Sequence, residues 1–444
     1  MKTVRIGAGA GYSGDRIDPA VELAAKGGIR YLVFECLAER TIALAQRAKR
    51  LDPAAGYDPL LEERMESVLP LCAENRICII SNMGAANPIA AAAKTREVAE
   101  GLGLHGLRIA AITGDDVLSA FRNGHCIASD NGHRAAAIAG ELVSANAYLG
   151  AEPIIEALAS EADVILTGRV ADPSLFLAPL MYEFGWPHND WDLLGQGTVV
   201  GHLLECAGQV TGGYFADPGY KDVPNLAALG FPIAQVSHDG CALITKVEGS
   251  GGLIRRATCC EQLLYEIQDP AAYLTPDVVA DFSQVAIRET GPNQVEISGG
   301  RGRPRPDTLK VSVGYRDGYV GEAQISYAGP GALMRARLAR DILCERLKPV
   351  RFHDFRCDFI GVSSILGNVL TQQGAEPIEV RLRLAARAES MKAASMIKRE
   401  VEALYTNGPA GGGGVTGSTR ETIAIQSALI PRELVTHKVT FEVS

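Results

Sequence analysis

The segment Asp163-Val164-Ile165-Leu166-Thr167-Gly168-Arg169-Val170-Ala171-Asp172-Pro173 holds the unit from which the fold can be read. An apolar run favours a strand, Gly168 interrupts it, and Asp172-Pro173 opens a helix. The acidic side chain there is suited to cap free N–H groups, and proline, which lacks one, fits the first helical position. The same order recurs at Asp18-Pro19, Asp58-Pro59 and Asn87-Pro88. Matching strands are predicted at Val4–Gly7, Tyr31–Glu35, Ile77–Ser81, Leu107–Thr113 and Asp163–Thr167. Their apolar residues do not alternate with polar ones, which indicates strands covered on both faces. The expected fold is α/β, a mostly parallel sheet flanked by helices. Ligands of such sheets bind beyond the carboxyl ends of the strands, so the polar turns should form one rim.

Beyond about residue 240 the texture changes to alternating strands, at Gln294–Ser298, Leu309–Val313 and Gln324–Tyr327, with helices near Ala332–Leu347 and Ser390–Leu404. Further strands are expected at Glu379–Leu384 and Lys438–Val443. The division predicted is an α/β domain over residues 1–240 and a C-terminal α+β domain over 241–444. The length of 444 residues and an apolar fraction of 47% allow a large core. A net charge of −9 and the lack of a dense Lys/Arg run remove the electrostatic footprint of nucleic-acid binding. Charged residues interrupt every long apolar run, so no membrane span is expected. The first residues read as a strand and not as a secretory signal, which points to the cytoplasm. The ten cysteines sit mostly in apolar runs, as packed and reduced thiols do. A homo-oligomer is the expected assembly.

The first turn, Gly9-Ala10-Gly11-Tyr12-Ser13-Gly14-Asp15-Arg16, contains a G-x-G-x-x-G pattern, with Glu35 placed where a dinucleotide fold holds its ribose-binding acid. The helix start at Asp18-Pro19 comes too late for the pyrophosphate of that fingerprint. Three readings therefore stand: an NAD(P) site, a substrate or catalytic loop built on Asp15 and Arg16, and a structural turn. Glu35 follows a strand that should be buried, and desolvation raises a carboxyl pKa toward the range of a general acid or base. Asn82 could orient a carboxylate or carbonyl, whereas Asn87 is explained by capping. Arg169 is the best anion clamp, with pairing to Asp172 as its alternative. His202 and Glu205 lie three apart on one helix face, a metal-type spacing that lacks a third ligand, so no metal is assigned. His238 and Cys36 are weaker candidates. The run Asn407 to Arg420, with four successive glycines, suits either an anion nest or a linker; the nest is favoured.

These motifs together, with Phe34-Glu35-Cys36-Leu37-Ala38-Glu39-Arg40-Thr41, Ser81-Asn82-Met83-Gly84 and the Gly411–Arg420 loop, resemble the acyclic terpene utilisation AtuA family over nearly the whole chain. The resemblance implies a place in citronellol-type or branched-chain acid breakdown, beside acyl-CoA enzymes. The expected activity is a lyase of hydratase or dehydratase type acting on an organic acid or its CoA ester, with the cofactor left open. Its catalytic set is Glu35, Asp15, Glu205 and Asn82. Its substrate-binding set is Gly11, Tyr12, Ser13, Arg16, Asn87, Arg169 and Asp172, closed by Gly412, Gly413, Thr416 and Arg420. The alternatives are an NAD(P)-dependent oxidoreductase and a non-catalytic subunit of an acyl-CoA carboxylase or hydratase complex.

Overall fold

The computed structural model describes residues 2–123, 127–129, 141–367 and 377–444. The chain forms two compact units, one of residues 1–314 and 425–444, the other of residues 315–424. Residues 241–314 thus pack within the first unit.

The five strands expected from the N-terminal half are all present: β1 (Thr3–Ala10), β2 (Tyr31–Phe34), β3 (Cys78–Ser81), β4 (Arg108–Thr113) and β5 (Val164–Thr167). They run parallel in the order β1-β2-β3-β5-β4. Every residue of β2, β3 and β5 is buried, as strands covered on both faces must be.

The sheet as a whole is mixed, not mostly parallel. Beside β1 lie β6 (Pro232–Ser237) and β7 (Ala242–Lys246), followed outward by the hairpin of β8 (Ala286–Gly291) and β9 (Gln294–Ser298). Every pairing in that arm is antiparallel. Later in the chain, Lys438–Val443 closes the opposite edge antiparallel to β4. Short hairpin connections need no crossover helix, so this arm extends the sheet without the βαβ signature of its centre.

Helices α1 (Asp18–Lys26), α3 (Leu61–Asn75) and α4 (Pro88–Gly101) form one layer, α2 (Glu39–Leu51) lying between the first two in sequence. A second layer is built from α5 (Glu152–Ala159), α6 (Ser174–Phe184) and α7 (Trp191–Glu205). Of the four predicted capping side chains, Asn87 caps a helix, accepting from the Ala90 N–H. Asp58 accepts the Leu60 N–H before α3 begins. Asp18 does not cap, and Asp172 is engaged elsewhere.

The second unit packs α8 (Ala332–Leu347) and α9 (Met391–Asn407) on three antiparallel strands: the later half of β10 (Thr308–Ala328), β11 (Asp354–Ile360) and β12 (Glu379–Ala388). Burial alternates along β12, with Leu382 and Leu384 on the helix face and Arg381 and Arg383 on the other. Arg383 there pairs with Glu322 and Asp358, each at 2.9 Å. The glycine-rich segment is not a nest loop: strand β13 (Gly413–Pro431) begins inside it. Its glycines permit close approach, since a Cβ at Gly417 would stand 2.9 Å from Lys398 Cγ. Thr416 Oγ1 accepts from Arg381 at 2.8 Å, and Gly412 lies against Tyr327.

Candidate functional site

The ends of β1, β2, β3 and β5 bring a set of polar side chains together in the first unit. Glu35 follows β2 and is 9% exposed. Its Oε1 accepts from Asn82 Nδ2 at 3.0 Å and from the Leu37 N–H at 2.8 Å. Asn82 follows β3, and its Oδ1 accepts the Cys36 N–H at 2.7 Å. The amide therefore positions Glu35 and locks the second turn to the third. Burial raises the Glu35 pKa and nearby Glu205 adds to the rise, while Arg169 and the two donors oppose it.

Arg169, after β5, is almost fully buried and is not an open anion clamp. Its guanidinium donates to the Leu37 and Val170 carbonyls and to Asp172, and it stacks 4.3 Å from the Tyr148 ring centroid. The alternative reading, pairing with Asp172, is the observed one. Asp172 keeps a third of its side chain open to water. Even so, its pKa lies well above the ordinary value, through desolvation and the neighbouring Glu35 and Glu205, with Arg169 opposing. Glu39 goes the other way. Against the effect of burial, the Tyr148 hydroxyl at 2.7 Å, with Lys310 and Arg169 nearby, brings it down to about 2.

Glu205, the last residue of α7, faces the same group. His202 Nδ1 lies 2.8 Å from its Oε1, so an ionised Glu205 fixes the imidazole proton on Nδ1. Among the described residues, His202 Nε2 and Glu205 Oε2 are buried without a hydrogen-bond partner. The rings of Tyr273 and Phe282 flank the imidazole at 5.6 and 5.4 Å. Among the described residues, no group of three or more His, Cys, Asp or Glu side chains has metal-holding geometry.

Other predicted residues do local work. Asp15 closes its own turn, accepting the N–H groups of Gly11 and Arg16 at 2.9 Å each. Arg16 donates to the carbonyls of Leu226 and Ala227. Asn87 donates to Pro53 and Ala55 in addition to capping α4. Tyr12 is exposed, and the Ser13 carbonyl accepts from Arg64 at 2.7 Å. The glycines of the first turn fit against protein: a Cβ on Gly9 would meet the Phe34 ring at 2.7 Å, and one on Gly11 the Cys206 carbonyl carbon at 2.5 Å. Helix α1 starts only at Asp18, so Gly14 does not open it as the dinucleotide pattern requires. Gly412, Gly413, Thr416 and Arg420 belong to the second unit.

Arg64 escaped the sequence reading. It is fully buried, pairs with Asp58 at 3.2 Å, and donates to the Tyr12, Ser13 and Asp15 carbonyls, so it holds the first turn from beneath. The signal was periodicity: Leu61, Arg64, Met65, Val68 and Cys72 share the buried stripe of α3. Tyr148 was also missed, for it stands in a loop outside every motif.

The fold and the site define an α/β protein that collects buried carboxyl groups around one arginine at the carboxyl edge of its parallel strands. The chain belongs to the family described as acyclic terpene utilisation family protein AtuA, which it matches over residues 4–441. Membership ties it to acyclic terpene utilisation. No curated protein and no solved structure gives a significant match.

Proposed function

We propose that the protein is a catabolic enzyme that moves a proton on a carboxylate or its CoA ester, in a hydration, dehydration or related lyase step. One observation carries this reading: Glu35 is a buried carboxyl group with a raised pKa, fixed by two donors on one oxygen and facing a second carboxyl group, Glu205. Two carboxyl groups in different environments divide acid and base roles. Glu35, whose pKa burial raises, serves as the acid. Glu205, oriented by His202, serves as the base. Arg169, engaged by Leu37, Val170 and Asp172, supplies a fixed positive field behind the carboxyl groups and does not touch substrate, and Asn82 positions Glu35.

The test is solvent exchange. Acyl-CoA esters of acyclic and branched acids are incubated with the protein in D2O, and deuterium uptake beside the carbonyl is followed by mass spectrometry. The wild-type protein should catalyse uptake, and Glu35→Gln should abolish it with an unchanged thermal unfolding midpoint. Uptake that survives in Glu35→Gln removes its role; no uptake with any ester removes the reading.

A further inference from the structure

The proton-transfer reading leaves one feature of the rim unused. Against α2 and the ends of β2 and β3 lies a cavity of about 530 Å3. Small-molecule sites run to roughly 300–1,000 Å3. Its walls are aliphatic and mostly small: Leu37, Leu44, Ala45, Ala48 and Ala85. Leu44 is 45% exposed, apolar surface that a ligand would cover. Among the described residues its lining includes no Lys, Arg or His, and its ionisable groups are the acids Asp58 and Glu62 together with Cys36 and Tyr57. Such a lining repels a carboxylate, a phosphate or a nucleotide and accepts uncharged hydrocarbon. Asn82 joins the cavity to the acid/base pair, because it lines the one and donates to Glu35 at 3.0 Å.

We infer that this cavity holds the aliphatic tail of the substrate, with the carboxylate or thioester end outside it, at Glu35. The inference rests on the proton-transfer reading for the head group and on the cavity alone for the tail. Each buried methylene should tighten binding about fourfold.

Calorimetric titration of the whole protein tests this with butanoate, hexanoate and decanoate as probes. Saturable binding that strengthens with chain length is the expected result. Ala48→Phe and Ala45→Phe, both partly exposed positions on α2, should weaken it at least tenfold. The increment per methylene should be the same in Glu35→Gln as in the wild type, whatever the change does to the head group, so a failure of the tail site and a failure of the proton-transfer role read out separately. Equal affinity across the chain-length series, or no binding at all, overturns the inference without recourse to any variant. So does wild-type affinity in both phenylalanine variants.

Discussion

Replacing Asp115 with Asn should remove a defined slope from the dependence of stability on pH. Asp115 lies beyond the end of β4, is 4% exposed, and accepts the Arg169 N–H at 2.9 Å and Asn146 Nδ2 at 2.8 Å. Burial pushes its pKa from 3.8 up to about 6, with Asp116 adding to the rise and the two donors opposing it. The folded state therefore holds this proton more tightly than the unfolded chain does. Its contribution is complete below pH 4 and is lost as pH rises through 6, because stability falls with pH wherever the native state binds more protons. A shift of about two units corresponds to about 3 kcal/mol. Asn carries no such proton and keeps one oxygen, which can stand in for the Oδ2 that accepts both donors. Denaturant unfolding of wild type and Asp115→Asn from pH 4 to pH 8 gives the difference directly, since other groups titrate alike in both. Wild type should lose about 3 kcal/mol relative to the variant between pH 4 and pH 7. A flat difference, or one of opposite sign, would show that the Arg169 and Asn146 donors outweigh burial.

Arg64→Met leaves Asp58 buried without its partner and frees the first turn, so unfolding free energy should fall by about 3–5 kcal/mol, with Arg64→Met/Asp58→Asn recovering part of it. Chemical denaturation measures both, and no recovery would mean that the carbonyl contacts dominate over the ion pair. Gly11→Ala drives a methyl group into the Cys206 backbone and should cost about 1–3 kcal/mol, read as a lowered melting temperature; an unchanged midpoint would mean that the turn can shift freely. The Cys36 thiol is held well above its ordinary pKa, chiefly by burial, and should resist iodoacetamide at pH 8 until the protein unfolds. Peptide mass spectrometry on the native protein checks this, and rapid native labelling would contradict it.

How much of this was legible beforehand depended on how local each determinant is. The five parallel strands were readable because burial on both faces writes itself into a run such as Ile77-Cys78-Ile79-Ile80. Gln294–Ser298 was readable as an isolated strand, but not its place in the same sheet as β1, for strand order depends on pairings distant in sequence. Asp172 shows the limit at a single residue. Its Asp-Pro context suits a cap, yet Arg169 three residues earlier claims the carboxylate, and only tertiary packing decides between the two. Leu309–Val313 and Gln324–Tyr327 looked like separate strands because Arg316-Asp317-Gly318 has turn composition, whereas one long strand passes through it. For the site, Glu35, Asn82 and Arg169 follow strand ends, whereas Glu205 and His202 come from the end of α7, where their spacing was legible but not their place beside the rim. Tyr148, which stacks on Arg169, comes from a loop position with no motif to announce it.

The charge balance at the rim gives the proton-transfer reading its physical basis. Glu39 is fully compensated, with the Tyr148 hydroxyl at 2.7 Å and Lys310 at 3.3 Å, and it stays ionised. At Glu35 and Asp172 burial raises the pKa, Arg169 opposes the rise and Glu205 adds to it. Like charges in a poorly solvated place oppose one another's ionisation, which is the sense of the shifts at Glu35 and Asp172. In the proposed reaction Arg169, whose guanidinium is already engaged by Leu37, Val170 and Asp172, acts through its field alone, and the carboxyl group held in place is Glu35, whose geometry Asn82 and the Leu37 N–H set.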